Sequence, residues 1–196
     1  MREPRIPPTP THASLKDAAL FYLSRYATTE AGLRAVLHRK IANWARHMAN
    51  SAGHSPEEIA AITTPAKQAA TEIAQSLTTA GIINDQIFAV SRAKILTRSG
   101  RSRRATMAHL AAKGVKADLI QQSLVSDPRA ELAAALIHAK KRRLGPFATT
   151  PITPDSRKRA LSSLARAGFS GETASRALRM EHGEAEELII DFRASL

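Results

Sequence analysis

GIINDQIFAVSRAKILTRSGRSRRATMAHLAAKGVKADLIQQSL, residues Gly81 to Leu124, decides the fold. Gly100 and Gly114 cut the stretch into three short helical segments. Asn84 can cap the first, its side-chain oxygen accepting an orphan N–H of the opening turn. Phe88, Ser91, Arg92 and Ile95 then fall on one face, and Gly100 supplies the stop. Ser102 is placed to cap a second helix with Met107, Leu110 and Ala111 as its stripe, ending at Gly114. Val115 leads into a third that carries Ile120 and Leu124. Each apolar face is too narrow to stabilise an isolated helix, so the three must pack together. Arg92, Lys94, Arg98, Arg101, Arg103 and Arg104 crowd the first two segments, with no acid between the first and last of them.

Working outward, the same alanine-rich, helix-period texture continues to both ends. Aromatic residues make up 4% of the 196-residue chain, and alternating β-branched runs are absent, so the fold is expected to be all-α. The formal net charge of +12 favours a polyanionic partner. With no cysteine, disulfides, thiol catalysis and cysteine-based zinc sites are excluded, which suits a reducing cytoplasm. No apolar run approaches the roughly 18–20 residues of a membrane span. MREPRIPPTPTH at the start has four prolines and no apolar core, so residues 1–13 are read as a flexible tail rather than a signal peptide.

Ser14-Leu15-Lys16-Asp17 resembles a capping box, followed at helical spacing by Leu15, Ala18, Ala19, Tyr22, Leu23 and Tyr26. Thr28-Thr29-Glu30 restarts the chain into a long helix marked by Leu33, Val36, Leu37, Ile41, Trp44 and Met48. After a loop at 50–54, Ser55-Pro56-Glu57-Glu58 signals a third helix, which Pro65 must either kink or restart. Beyond the central stretch, Asp127-Pro128 opens a helix with Leu132, Ala135, Leu136 and Ala139 as its stripe, ending in Lys140-Lys141-Arg142-Arg143. Cations in a last turn complement the helix dipole, but four in succession exceed that need. Asp155 is the expected cap of a helix carrying Leu161, Leu164 and Ala165 up to Gly168, and Ser170 begins another through Ala174, Ala177 and Leu178. Leu188, Ile189 and Phe192 mark a last amphipathic segment with the acids Glu184, Glu186, Glu187 and Asp191.

An internal repeat orders these pieces. LAAKGVKADLIQQSL (Leu110–Leu124) aligns without gaps on LARAGFSGETASRAL (Leu164–Leu178), pairing Gly114 with Gly168 and Val115 with Phe169. A fainter copy runs through Leu37, with Ile41 where glycine would stand, so that helix continues past Trp44. The chain is therefore expected to hold three tandem three-helix units, 14–81, 82–126 and 127–180, followed by an acidic end at 181–196.

With that plan in view, the chain resembles the RecX family, regulators of the RecA recombinase. The likeness is carried by Ala19-Leu20-Phe21-Tyr22-Leu23, Gly81-Ile82-Ile83-Asn84-Asp85 with Phe88-Ala89, and Gly100 with Arg103-Arg104. Leu110, Lys113-Gly114-Val115, Lys140-Lys141 and Leu164 with Gly168-Phe169 extend it. Departures are Gly32 where the family usually has an acid, a longer segment from Ile41 to Pro65, and no proline after Gly100. The resemblance implies an elongated, curved array of helix-turn-helix-like units that lies along a RecA–DNA filament, and the chain is expected to be a monomer. It further implies inhibition or destabilisation of that filament, with effects on recombination, repair and the SOS response, and contact with single- or double-stranded DNA.

No catalytic arrangement is visible. His12, His38, His47, His54, His109, His138 and His182 lack metal-ligand spacing, and neither a phosphate-binding loop nor a dinucleotide fingerprint occurs. No cofactor, metal or enzymatic activity is expected. The candidate binding residues are the cations Arg92, Lys94, Arg98, Arg101, Arg103, Arg104, Lys113, Lys140, Lys141, Arg142 and Arg143. Arg101, Arg103 and Arg104 stand at a helix start, where the dipole already favours an anion, and that conflict suggests a polyanionic or acidic partner. With few aromatics expected at the surface, base stacking is a poor candidate. The alternative reading is a basic helix-turn-helix transcriptional regulator that binds DNA.

Overall fold

The computed structural model describes residues 7–51, 54–124 and 127–195, and among them the chain is all-helical, with ten α-helices and one 3-10 turn. Its contacts separate into two compact units, 1–88 and 89–196.

The first unit holds α1 (His12–Leu23), α2 (Glu30–Asn50) and α3 (Pro56–Thr79). α1 begins before the expected box at Ser14. Thr11, in extended conformation, accepts the Ser14 N–H at 3.2 Å, and the Ser14 hydroxyl is engaged with the Thr9 carbonyl at 2.8 Å. Pro10 is buried, so the tail expected over 1–13 is anchored at its end, while residues 1–6 lie outside the described residues. α1 also stops earlier than its stripe implied, leaving Tyr26 exposed beyond the helix. Thr29 caps α2, accepting the Gly32 N–H at 2.9 Å, and Asp85 accepts the Glu30 N–H at 2.9 Å. A carboxylate and a hydroxyl thus serve the first turn together. A Cβ on Gly32 would lie 2.3 Å from Thr28 Oγ1 and 3.0 Å from Thr29 Oγ1, so the first turn of α2 is packed too closely there for a side chain without a shift of Thr28.

α2 continues through Ile41 and Trp44 as the missing glycine implied, and it packs mainly on α3. α3 opens with the capping box at Ser55 and Glu58 and runs unbroken through Pro65. Pro65 sits on the exposed side, where the Ala61 carbonyl that loses its helical donor can meet water. Leu15, Leu33, Leu37, Ile41, Ala70, Ile73 and Leu77 form the core, closed by Ile83.

α4 (Asp85–Arg98) crosses the division between the units. Asn84 Oδ1 accepts the Ile87 N–H at 2.9 Å, the cap that the sequence suggested. The buried face is Ala89, Ala93 and Leu96, not the Phe88, Ser91, Arg92 and Ile95 face; Ile95 is 53% exposed. Small alanine side chains here bury the helix by close approach rather than by bulk.

The second unit continues with α5 (Arg103–Ala112), α6 (Ala117–Ser123), α7 (Pro128–Arg142), a 3-10 turn at Gly145–Phe147, α8 (Pro154–Arg166), α9 (Gly171–Arg179) and α10 (His182–Ala194). α7 is buried on every side from Leu132 to Ile137 and forms the unit's axis. On α5 the buried residues are Thr106 and Leu110, with Met107 only half-buried and Ala111 exposed. α8 is capped by Thr153 rather than Asp155, because Pro154 takes the first helical position; Ala160 and Leu164 face inward and Ala165 outward.

The two halves of the sequence repeat have the same local build. Gly114 and Gly168 sit at φ +78° and +92°, and each lets the next residue bond back five positions. Val115 N–H reaches the Leu110 carbonyl and Phe169 N–H the Leu164 carbonyl, both at 3.1 Å. Leu110, Val115 and Leu124 are buried like their counterparts Leu164, Phe169 and Leu178.

Candidate functional site

Two close approaches bring distant cations together within the second unit. Gly100 is buried against α7, where a Cβ would come within 2.8 Å of Ile137 Cγ2, so the turn at Ser99–Arg101 lies on that helix. The Lys141 ammonium fixes it further by donating to the Ser99 carbonyl at 2.7 Å. Ser102 Oγ, fully buried, accepts the Ala105 N–H at 3.1 Å and donates to the Ala167 carbonyl at 2.7 Å. That bond draws the end of α8 onto the start of α5.

The result is a depression of about 540 Å³ lined by Arg101, Lys141, Arg142 and Arg166, with His138 in its wall. No acidic side chain lines it. Four cations from three places in the sequence therefore surround one concavity, a field suited to phosphate or carboxylate oxygens. Nearby imidazoles register the field. Burial holds His138 below the usual imidazole value, and Arg142 and Lys141 push it further down. His109 is lowered first by burial, then by Arg92, Arg101 and Lys113. A neutral His109 can accept, and its Nε2 takes a hydrogen bond from Arg92 Nε at 3.2 Å.

The eleven cations expected to bind a partner divide into several groups. Arg101, Lys141 and Arg142 converge on the depression. Lys94, Arg98, Arg104 and Lys113 are exposed, and an Arg98 nitrogen lies 3.5 Å from the Arg193 carbonyl. Arg92 is half-buried against His109. Arg103 is half-buried too: its backbone N–H donates to Glu131 Oε2 at 2.9 Å and its guanidinium to the Leu124 carbonyl at 3.3 Å. Glu131, from α7, is thus the anion at the start of α5, and the local conflict read from the sequence is met inside the chain. Burial raises the Glu131 carboxyl above its usual range, opposed by the hydrogen bond and charge of Arg103. Lys140 is paired with Glu186 of α10 at 2.6 Å, and Arg129 with Asp191 at 3.1 Å, so the acidic last helix covers part of the basic run. Arg143, left-handed at φ +54°, lines a different cavity.

Arg166 was not among the expected residues. Its repeat counterpart is Ala112, so neither charge clustering nor the repeat marks it; only the Ser102–Ala167 contact brings it in. Exposed aromatics are few, as the sequence suggested: two of the eight. Phe21 and Tyr26 are 64% and 56% exposed, Phe21 because it lies off the face of α1 that carries Leu15 and Ala19, and Tyr26 because it follows the end of that helix. The Arg25 guanidinium lies over the Phe21 ring at 4.8 Å. No described helix is long and apolar enough to cross a membrane.

No protein-family model matches the sequence. The chain is 36% identical over 173 residues to the regulatory protein RecX of Myxococcus xanthus (strain DK1622), covering 86% of each chain. It is 29% identical over 178 residues to the regulatory protein RecX of Agrobacterium fabrum (strain C58), covering 90% of this chain and 88% of that protein. A crystal structure of RecX from Lactobacillus salivarius superposes with a TM-score of 0.55 at 16% identity, over 91% of this chain and 97% of that one. A second RecX crystal structure gives 0.55 at 20% identity, over 84% and 70%. At these identities the structural likeness speaks for the helical fold alone. Together with the Myxococcus relative, matched over most of both chains, it leads to one assignment: the chain belongs to the RecX family of regulatory proteins.

Proposed function

We propose that this chain is a non-enzymatic cytoplasmic regulator that binds the RecA recombinase filament as a monomer and inhibits or destabilises it. Recombination, repair and SOS signalling fall as a consequence. Family membership supports the regulatory part of this reading. The observation that carries the contact surface is the acid-free depression where Arg101, Lys141 and Arg142 meet Arg166. Such a surface engages anionic oxygens, whether DNA phosphates or carboxylates of the recombinase, and its grip weakens with salt. Lys94, Arg98, Arg104 and Lys113 extend the positive field as peripheral, individually weak contacts. In this reading the three repeat units act in tandem, so that weak contacts along a polymer add through effective concentration.

The test is RecA ATP hydrolysis on single-stranded DNA, with and without the chain. The wild type should suppress turnover, and suppression should fade as salt is raised. Joint change of Arg101, Lys141, Arg142 and Arg166 to Ala should restore turnover while leaving helicity intact. Undiminished suppression by that variant would remove the depression from the account. A footprint on one defined duplex sequence, with recombinase turnover unaffected, would favour a sequence-specific DNA-binding regulator instead.

A further inference from the structure

A second concavity in the same unit shares no residue with the depression. It holds about 390 Å³ between the segment after α7, the face of α8 and the end of α9. Its aliphatic lining includes Leu144, Leu178 and Ile152, of which Leu178 is buried and Ile152 exposed. Gly145 packs so closely there that a Cβ would meet Leu178 Cδ2 at 2.7 Å, which holds the loop down as one wall. Around the mouth stand Arg143, Arg157 and Arg179. No acid lines the cavity, and none of these three guanidiniums makes an ion pair among the described residues. Arg143 occupies a left-handed position at φ +54°, where α4, α5 and α8 each place glycine. A side chain with a Cβ is disfavoured there.

We infer that this cavity docks an acidic peptide segment, inserting one bulky apolar side chain between Leu144, Ile152 and Leu178 while flanking carboxylates pair with Arg143, Arg157 and Arg179. The volume lies within the range of ligand pockets, and an aliphatic lining within a cationic rim is the arrangement that fixes an apolar anchor with charged neighbours. A nucleic-acid backbone fits less well, because it brings no aliphatic group to that lining, which offers no ring for a base. A fatty acid would use one carboxylate where three guanidiniums stand. The inference does not depend on recombinase binding.

The experiment is fluorescence anisotropy of a labelled DELFDE peptide titrated with the full chain, beside a DENQDE peptide that lacks the apolar anchor. Saturable binding of the first and at least about tenfold weaker binding of the second is the expected result. Arg157→Glu with Arg179→Glu, and separately Ile152→Asp, should each weaken the first peptide by about tenfold or more with helicity unchanged. Joint substitution of Arg101, Lys141, Arg142 and Arg166 should leave it bound. Equal affinity for both peptides, indifference to the rim and Ile152 variants, or loss only in the depression variant would overturn the proposal. So would stronger binding of oleate or of a single-stranded oligonucleotide at this cavity, read as competition lost in the rim variant.

Discussion

Ser102→Ala isolates the contact that assembles the basic depression. Ser102 is fully buried, and its hydroxyl both caps α5 and donates to the Ala167 carbonyl at 2.7 Å. Loss of an N-cap acceptor costs about 1 kcal/mol. Leaving a carbonyl without its partner in a part-buried contact adds about 1–2 kcal/mol. The expected destabilisation is therefore about 2–3 kcal/mol. Ser170 provides the comparison, since it caps α9 by accepting the Thr173 N–H at 3.1 Å but is exposed. Ser170→Ala should cost only the capping part, about 1 kcal/mol. Urea unfolding followed by far-ultraviolet circular dichroism measures both. Arg166 should also lose its place beside Arg101, weakening recombinase suppression by the serine variant under conditions where it is still folded. Equal cost for the two serines would refute the claim that the Ser102–Ala167 bond ties α8 to α5.

Three further outcomes follow from the same geometry. Glu131→Ala removes the carboxylate from the start of α5 and should cost about 1–2 kcal/mol in urea unfolding, whereas Glu131→Gln keeps an acceptor and should stay within about 0.5 kcal/mol. Gly32→Ala should destabilise the native chain, because its Cβ meets Thr28 Oγ1 at 2.3 Å; a Thr28→Ala background should relieve part of that cost in urea unfolding, the remainder coming from the Thr29 cap hydroxyl at 3.0 Å. Stability should also fall on mild acidification. His109 and His138 are both lowered in the folded chain, so as pH drops below about 6.5 the unfolded chain takes up protons first. Stability is retained above that pH and lost as pH falls towards the folded values, and replacing both histidines with Asn should flatten the slope of the urea midpoint against pH.

The helix stops were legible because glycine at Gly114 and Gly168 does one physical job, and the matched leucines mark the faces those stops bring together. Caps with a polar side chain just outside an apolar period, Ser55, Asn84 and Ser102, were legible for the same reason. The buried face of α4 was not. Hydropathy favours Ile95 over Ala93, whereas close packing buries Ala89 and Ala93 and leaves Ile95 in water. Local charge reading was also incomplete. The acids that engage the basic stretch, Glu131 and Glu186, lie 28 and 46 residues from Arg103 and Lys140 and are joined to them only by folding. Arg166 enters the depression through a backbone carbonyl contact, which leaves no trace in residue type.

Co-sedimentation with RecA filaments assembled on single-stranded DNA tests the central claim most directly. The wild-type chain should pellet with the filament at low salt and be released as salt rises, while the variant with Arg101, Lys141, Arg142 and Arg166 all changed to Ala should remain in the supernatant. Equal pelleting of the two proteins at every salt concentration would contradict the assignment of this surface to filament binding.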